Sequence, residues 1–175
     1  MPMPRRTTAA EVVVLIENFL DGVVGAHDWD DFESATLADP MLEAVRRRCA
    51  DIPAQFPSSD RNHFASPAGL AALREIANSL RQSVPEVEAA RRRAQQIALL
   101  AKSLYAAQVS PAAFLEGIES EDYDNPYVSD LLDRIEHQPS RGGFFGASAA
   151  AHDQYVAEVQ KLIARVLSQT VDAAV

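Results

Sequence analysis

Four dipeptides punctuate the chain and leave it little choice but helices: Asp39-Pro40, Ser66-Pro67, Ser110-Pro111 and Asn125-Pro126. Proline is favoured at the first helical position, where its missing N–H would have no intrahelical partner anyway. Ser, Asp or Asn is favoured just before it, because the side chain can accept from an orphan amide of the first turn. Ser83 with Glu86 three residues later, and Pro85 between them, reads as a capping box. Asp28 before Trp29 reads as a further N-cap. Between these starts the apolar residues recur at intervals of three and four. Leu42, Val45 and Cys49 make one stripe, and Leu70, Leu73, Ile76, Ala77 and Leu80 a second. Val87, Ala90, Ala94, Ile97, Ala101 and Leu104 make a long third. No run of period two is convincing, and the β-branched Val12-Val13-Val14 continues through Ile16, Phe19, Leu20 and Val23 at helical spacing. The predicted helices span 8–24, 28–37, 40–51, 67–82, 84–108, 111–119, 126–137 and 148–169. The fold class that follows is all-α, a bundle of about eight helices.

The order of these elements repeats. A shift of 86 residues lays Asp39-Pro40 on Asn125-Pro126, Phe19 on Tyr105, Trp29 on Leu115 and Phe32 on Ile118. It also lays Leu42 on Val128, Val45 on Leu131, Arg48 on Arg134 and Pro53 on Pro139. The expectation is an internal duplication: two related four-helix halves, 1–83 and 84–175, packed as one domain. Two stretches resist a helical reading at the same place in each half, Ile52 to Ala65 and Gln138 to Ala147. Both carry rings, Phe56 and Phe64 in the first, Phe144 and Phe145 in the second. Either these rings fold back to plug the bundle, or some are exposed anchors for a partner, since aromatic residues dominate binding hot spots.

Charge and composition narrow the function classes. With 47% apolar residues the chain can bury a core without disulfides or a structural metal, and its lone cysteine, Cys49, excludes an internal disulfide and any multi-cysteine zinc site. Among arginines in a helix, Cys49 reads as a half-buried structural thiol. The formal net charge of −9 argues against nucleic acid as the main ligand and fits a basic protein partner. The apolar run Val12 to Ile16 is too short to span a bilayer, and the N-terminus lacks the form of a signal peptide. The expected setting is cytoplasmic, away from membranes.

The segment His27-Asp28-Trp29-Asp30-Asp31-Phe32-Glu33 invites a metal-site reading, because hard cations want several oxygen ligands. On a helix, however, Trp29 and Phe32 point inward together, and the acids occupy the first turn and the solvated face, where they complement the helix dipole. The matching place in the second half is also acidic: Glu116, Glu119, Glu121, Asp122 and Asp124. The two clusters read as solvated helix ends or as a partner-binding acidic face, one resembling the charge of a nucleic-acid backbone and suited to inhibiting a nuclease. If they bind, the expected contact residues are Asp28, Asp30, Asp31, Glu33, Glu121, Asp122 and Asp124, with Phe144 and Phe145 as apolar anchors. The histidines His27, His63, His137 and His152 form no pair at one helical turn. No P-loop, dinucleotide-binding, nucleophile-elbow or zinc-protease motif occurs. No catalytic residue, metal site or cofactor is therefore expected. The triplets Arg46-Arg47-Arg48 and Arg91-Arg92-Arg93 read as salt-laced solvated faces, with Glu43–Arg47 and Glu88–Arg92 four apart.

A first apolar helix with Ile16-Glu17-Asn18-Phe19-Leu20-Asp21-Gly22, a short break, then the aromatic-acidic Trp29-Asp30-Asp31-Phe32, resembles small helical bacterial immunity proteins, including the colicin-immunity kind. Leu100-Ala101-Lys102-Ser103-Leu104 followed by Ser110-Pro111-Ala112-Ala113-Phe114-Leu115 echoes it. The likeness covers about 25 residues in each half; the chain's length, its duplication and its glycine-phenylalanine loop depart from the single-unit form. The resemblance implies an acidic, cytoplasmic, non-enzymatic protein that inhibits a basic toxin or nuclease by binding it. Two other classes stay open: a helical scaffold or oligomerisation module, and a helical enzyme or ligand binder with a carboxylate site. Exposed carboxylates beside exposed aromatics would mark the first, a contiguous apolar patch on a long helix the second, and a cavity with converging polar groups the third.

Overall fold

The computed structural model describes residues 7–23, 26–60, 63–139 and 148–170. Among them nine α-helices and one 3-10 helix form, and no β-strand does. The chain is all-α. The helices are α1 (Ala9–Leu20), α2 (Ala26–Ser34), α3 (Pro40–Ala50), α4 (Ile52–Gln55), α5 (Pro67–Ser83), α6 (Pro85–Tyr105), α7 (Pro111–Glu116), α8 (Ser129–Glu136) and α9 (Ala149–Thr170), with the 3-10 helix at Ser120–Asp124. The chain divides into two compact units, Met1–Glu88 and Ala89–Val175.

In the first unit α1 packs along α5, α2 against α3, and α4 against α5. Thr8 caps α1 through a reciprocal box: its hydroxyl accepts from Glu11 N–H, and the Glu11 carboxylate accepts from Thr8 N–H. Three successive valines are poor helix formers, but Val12, Val13 and Val14 are all buried, so packing overrides propensity. Gly22, at φ +69°, ends the helix: Gly22 N–H donates to Phe19 C=O and Val23 N–H to Asn18 C=O. Buried Trp29 and Phe32 point inward as their spacing predicts, and Trp29 stacks on Phe19 at 4.0 Å. Phe64 closes this cluster edge-on, 5.0 Å from Phe19 and 5.5 Å from Trp29, so one loop phenylalanine does plug the unit. Cys49 is fully buried rather than half-buried, and burial pushes its thiol up to about 12.

The second unit holds the rest of α6 and the elements after it, with α8 against α9 and against the 3-10 helix. Its core includes Ala94, Ile97, Phe114, Val128, Leu131, Val159 and Val166. Ser110 caps α7 by accepting from Ala113 N–H. Arg91 is buried, not solvated: its guanidinium donates to Gln169 C=O at 3.0 and 3.2 Å and so satisfies a carbonyl of the last turn of α9.

One predicted capping box and one predicted helix start fail, although α6 itself begins at Pro85 as expected. Ser83 forms no capping box because α5 runs through it, and its hydroxyl donates back to Leu80 C=O. Asn125 does not open a helix at 126. Its side chain accepts from Tyr127 N–H and donates to Ala90 C=O, which holds a turn, and α8 begins at Ser129.

Candidate functional site

On α2 the sequence's two faces separate cleanly. Asp28, Asp30 and Asp31 are exposed on the side away from Trp29 and Phe32. The helix begins at Ala26, so Asp28 sits in its first turn instead of capping it. Glu33 is half-buried, and burial holds its carboxyl above the usual range. Its backbone carbonyl accepts from Arg46, whose guanidinium also engages Glu43 at 2.8 and 2.9 Å. Glu43 accepts in turn from Leu37 N–H at 3.1 Å, and the Arg46 and Leu37 hydrogen bonds hold it far below the usual carboxylate range. Arg46 is therefore a clamp between α2 and α3, while Arg47 is the outward partner of Glu43 that the four-residue spacing predicts.

In the second unit the acidic segment is organised around one buried carboxylate. Asp122 is 4% exposed, which corrects the expectation that it lies on an exposed acidic face. Arg93 donates to both its oxygens, at 2.8 and 2.6 Å, and to Gly117 C=O at 3.0 Å. Glu119 N–H donates to Asp122 Oδ2 at 2.8 Å. The Arg93 hydrogen bonds, first among the causes, pull the Asp122 carboxyl below its ordinary value. This knot fastens the 3-10 helix to α6 and turns its other side chains outward. Glu121 and Asp124 are exposed, and Tyr123 between them is 40% exposed.

Beside this turn lies a hollow of about 360 Å³ lined by Leu104, Pro111, Phe114, Leu115, Tyr123, Leu132, Ile135, Glu136 and Gln138. Its floor is Phe114 and Leu132, both buried; its mouth carries Leu115, 62% exposed, and Tyr123. Adjacent residues on a helix point about 100° apart, so burying Phe114 necessarily turns Leu115 out. The gapless pairing of Trp29 with Leu115 thus does not hold in burial, and Phe114, one residue earlier, fills the inward place. The acids around the mouth are Glu116, Glu121, Asp124 and Glu136, all exposed. From Pro111 to Glu136 the chain has eight carboxylates and one cation, Arg134. That arginine is engaged elsewhere, paired with Glu158 of α9 and stacked 5.1 Å above the Tyr155 ring.

A second hollow in this unit, of about 520 Å³, gathers Tyr105, Gln108, Ser110, Gln138 and His152, and a third, of about 350 Å³, lies between α6 and α9. None of the three is lined by His27, Asp30 or Asp31. No group of three or more His, Cys, Asp or Glu among the described residues is placed to hold a metal ion, and no described helix is long and apolar enough to cross a membrane.

Of the residues expected to contact a partner, Asp28, Asp30, Asp31, Glu121 and Asp124 are exposed, Glu33 is half-buried and Asp122 is buried. Phe144 and Phe145 lie outside the described residues. Sequence reasoning missed Leu115 and Tyr123. The signal for Leu115 was there, in the neighbouring Phe114 and the rule that only one of two adjacent helical residues faces the core. No family model, curated protein or solved structure matches the chain.

Proposed function

We propose that this is a non-enzymatic protein that acts by binding a basic partner protein, as an antidote of the immunity type binds and silences a toxin. The observation that carries the reading is the exposed Tyr123 and Leu115 standing among exposed carboxylates at the mouth of an apolar hollow. An exposed tyrosine beside apolar surface, ringed by polar groups, matches the layout of a protein-binding patch, apolar at its centre and polar at its rim. The rim's uncompensated negative charge supplies attraction and speeds encounter with a positive surface. The exposed acids of α2 extend the same character to the first unit.

The test is affinity capture from the native cell with three baits: the wild type, an Asp28→Lys/Asp30→Lys/Asp31→Lys variant and a Glu121→Lys/Asp124→Lys variant. All five positions are exposed, so circular dichroism should show folded variants. A basic protein held by the wild type, released by salt and lost from either variant supports the reading. Equal retention by all three baits, or no retained protein, overturns it.

A further inference from the structure

The hollow under Leu115 and Tyr123 has a definite chemistry, and that chemistry selects its occupant. Its lining is apolar except for Glu136, Gln138 and the Tyr123 hydroxyl, and its volume of about 360 Å³ is at the small end for a binding pocket. That is more than twice the roughly 150 Å³ that takes a benzene ring, so a large side chain fits with space beside it. Around it stand Glu116, Glu121, Asp124 and Glu136, and three arginines that reach these elements are committed to other acids, Arg93 to Asp122, Arg134 to Glu158 and Arg165 to Asp130. Phosphate-bearing ligands, whether nucleic acid or lipid headgroups, would meet four carboxylates at the rim. A second copy docking here through the same face would bring two acidic rims together, which like-charge repulsion opposes. What remains is a segment that is apolar at its centre and cationic on either side.

We infer that this hollow seats one large apolar side chain, of leucine or phenylalanine size, from a lysine- or arginine-rich segment of the partner. The inference rests on the binding reading above and assigns that reading's apolar anchor. Leu115 and Tyr123 flank the incoming side chain, Phe114 and Leu132 meet its end, and the rim acids pair with the flanking cations. The acids set the sign of the partner, and the hollow sets its register along the segment.

The experiment uses the whole protein, methyl-labelled at Leu and Ile, titrated with two peptides of equal length and equal positive charge. One carries leucine and phenylalanine at three- and four-residue spacing among lysines and arginines; in the other those apolar residues are serine. The apolar-containing peptide should bind at least about tenfold tighter, since burying one such side chain contributes that much or more. The methyls of Leu115, Leu132 and Ile135 should shift while those of Leu42 and Leu73 in the first unit stay in place. Leu115→Arg, at an exposed position, should remove the tenfold preference and leave the fold intact. Equal binding of both peptides without shifts at the hollow overturns the seat but leaves the basic-partner reading standing. Absence of binding by either peptide overturns both. Concentration-dependent shifts at Leu115 without any peptide would make a second copy the occupant and also overturn the inference.

Discussion

Replacing Asp122 by asparagine keeps the side chain's shape and removes its charge, so it isolates what the Arg93 pair does. In the wild type the carboxylate accepts two guanidinium hydrogen bonds and one from Glu119 N–H. The amide introduced by Asp122→Asn would retain one accepting oxygen and set an NH₂ against the guanidinium. Breaking a buried ion pair by altering one partner costs about 3–5 kcal/mol. Arg93, however, keeps 32% of its side chain exposed, so water recovers part of its solvation and the expected loss falls to about 2 kcal/mol. Trp29 lies in the first unit, whereas Tyr105, Tyr123, Tyr127 and Tyr155, the four tyrosines of the chain, lie in the second. Near-ultraviolet tyrosine circular dichroism during urea unfolding therefore reads the unit that holds the pair. With a urea slope of about 2 kcal/mol/M, the midpoint should fall by roughly 1 M. The sign with pH is fixed by direction: the folded carboxyl is depressed below its unfolded value. Its stabilisation is thus fully present above the unfolded value of about 4 and is lost as pH falls through the folded one. The difference between wild type and variant should be flat near neutrality and shrink in acid. A double-mutant cycle with Arg93→Met should give a coupling of at least about 1 kcal/mol. A coupling near zero, or a variant within about 0.5 kcal/mol of wild type, would refute the knot as the anchor of the 3-10 turn.

Three further outcomes are expected from unfolding measurements. Ala107 ends α6 at φ 56°, where it takes the part that glycine takes at Gly22. Ala107→Gly should therefore stabilise the second unit by about 1 kcal/mol, and a loss of stability would contradict the assigned backbone. Gly69→Ala would set a Cβ 2.7 Å from Ala65 Cβ and 2.9 Å from Phe56 Cβ. Overpacking at that crossing outweighs the gain in helix propensity and should cost about 1–2 kcal/mol, seen as an earlier Trp29 fluorescence transition. Phe64→Ala removes two edge-on ring contacts from a half-buried site. It should cost about 2 kcal/mol and shift the Trp29 emission to the red; unchanged emission would mean that Phe64 does not shield the indole.

The sequence carried the fold at the level of local chemistry and lost it wherever a distant partner decided. Pro40, Pro67 and Pro111 each open a helix where predicted, with Asp39 and Ser110 capping through their side chains and Ser66 making no such bond. Asn125-Pro126 has the same local form, but Asn125 is taken by the carbonyl of Ala90, thirty-five residues away. The short α4 lies within the stretch from Ile52 to Ala65 that resists a helical reading, and Pro53 fits there because proline is tolerated in a first turn. The arginine triplets look alike along the chain. Arg91 and Arg93 are nevertheless committed inward, to Gln169 C=O and Asp122, and no spacing rule relates residues 78 and 29 positions apart. The candidate site was half legible for the same reason. Exposed acids on a helix face announce themselves, and Asp28, Asp30, Asp31, Glu121 and Asp124 lie where their types suggest. Asp122 differs from its neighbours only through Arg93. The hollow is made by residues from 104 to 138, and only their packing around Phe114 shows that Leu115 and Tyr123 form its mouth.

The chain's one thiol lies at the centre of the first unit, fully shielded, with its ionisation pushed up to about 12 by burial. Inside the folded unit the thiol therefore stays protonated at neutral pH, and it offers no surface to an alkylating reagent. A covalent mark on Cys49 records that the first unit has opened, once per molecule and irreversibly. Under conditions where closing outruns labelling, the rate of marking gives the free energy of that opening in the native state, without denaturant. The same shielding protects Cys49 itself from mild oxidants while the unit stays folded, and oxidised Cys49 recovered from cells would report that the unit had opened.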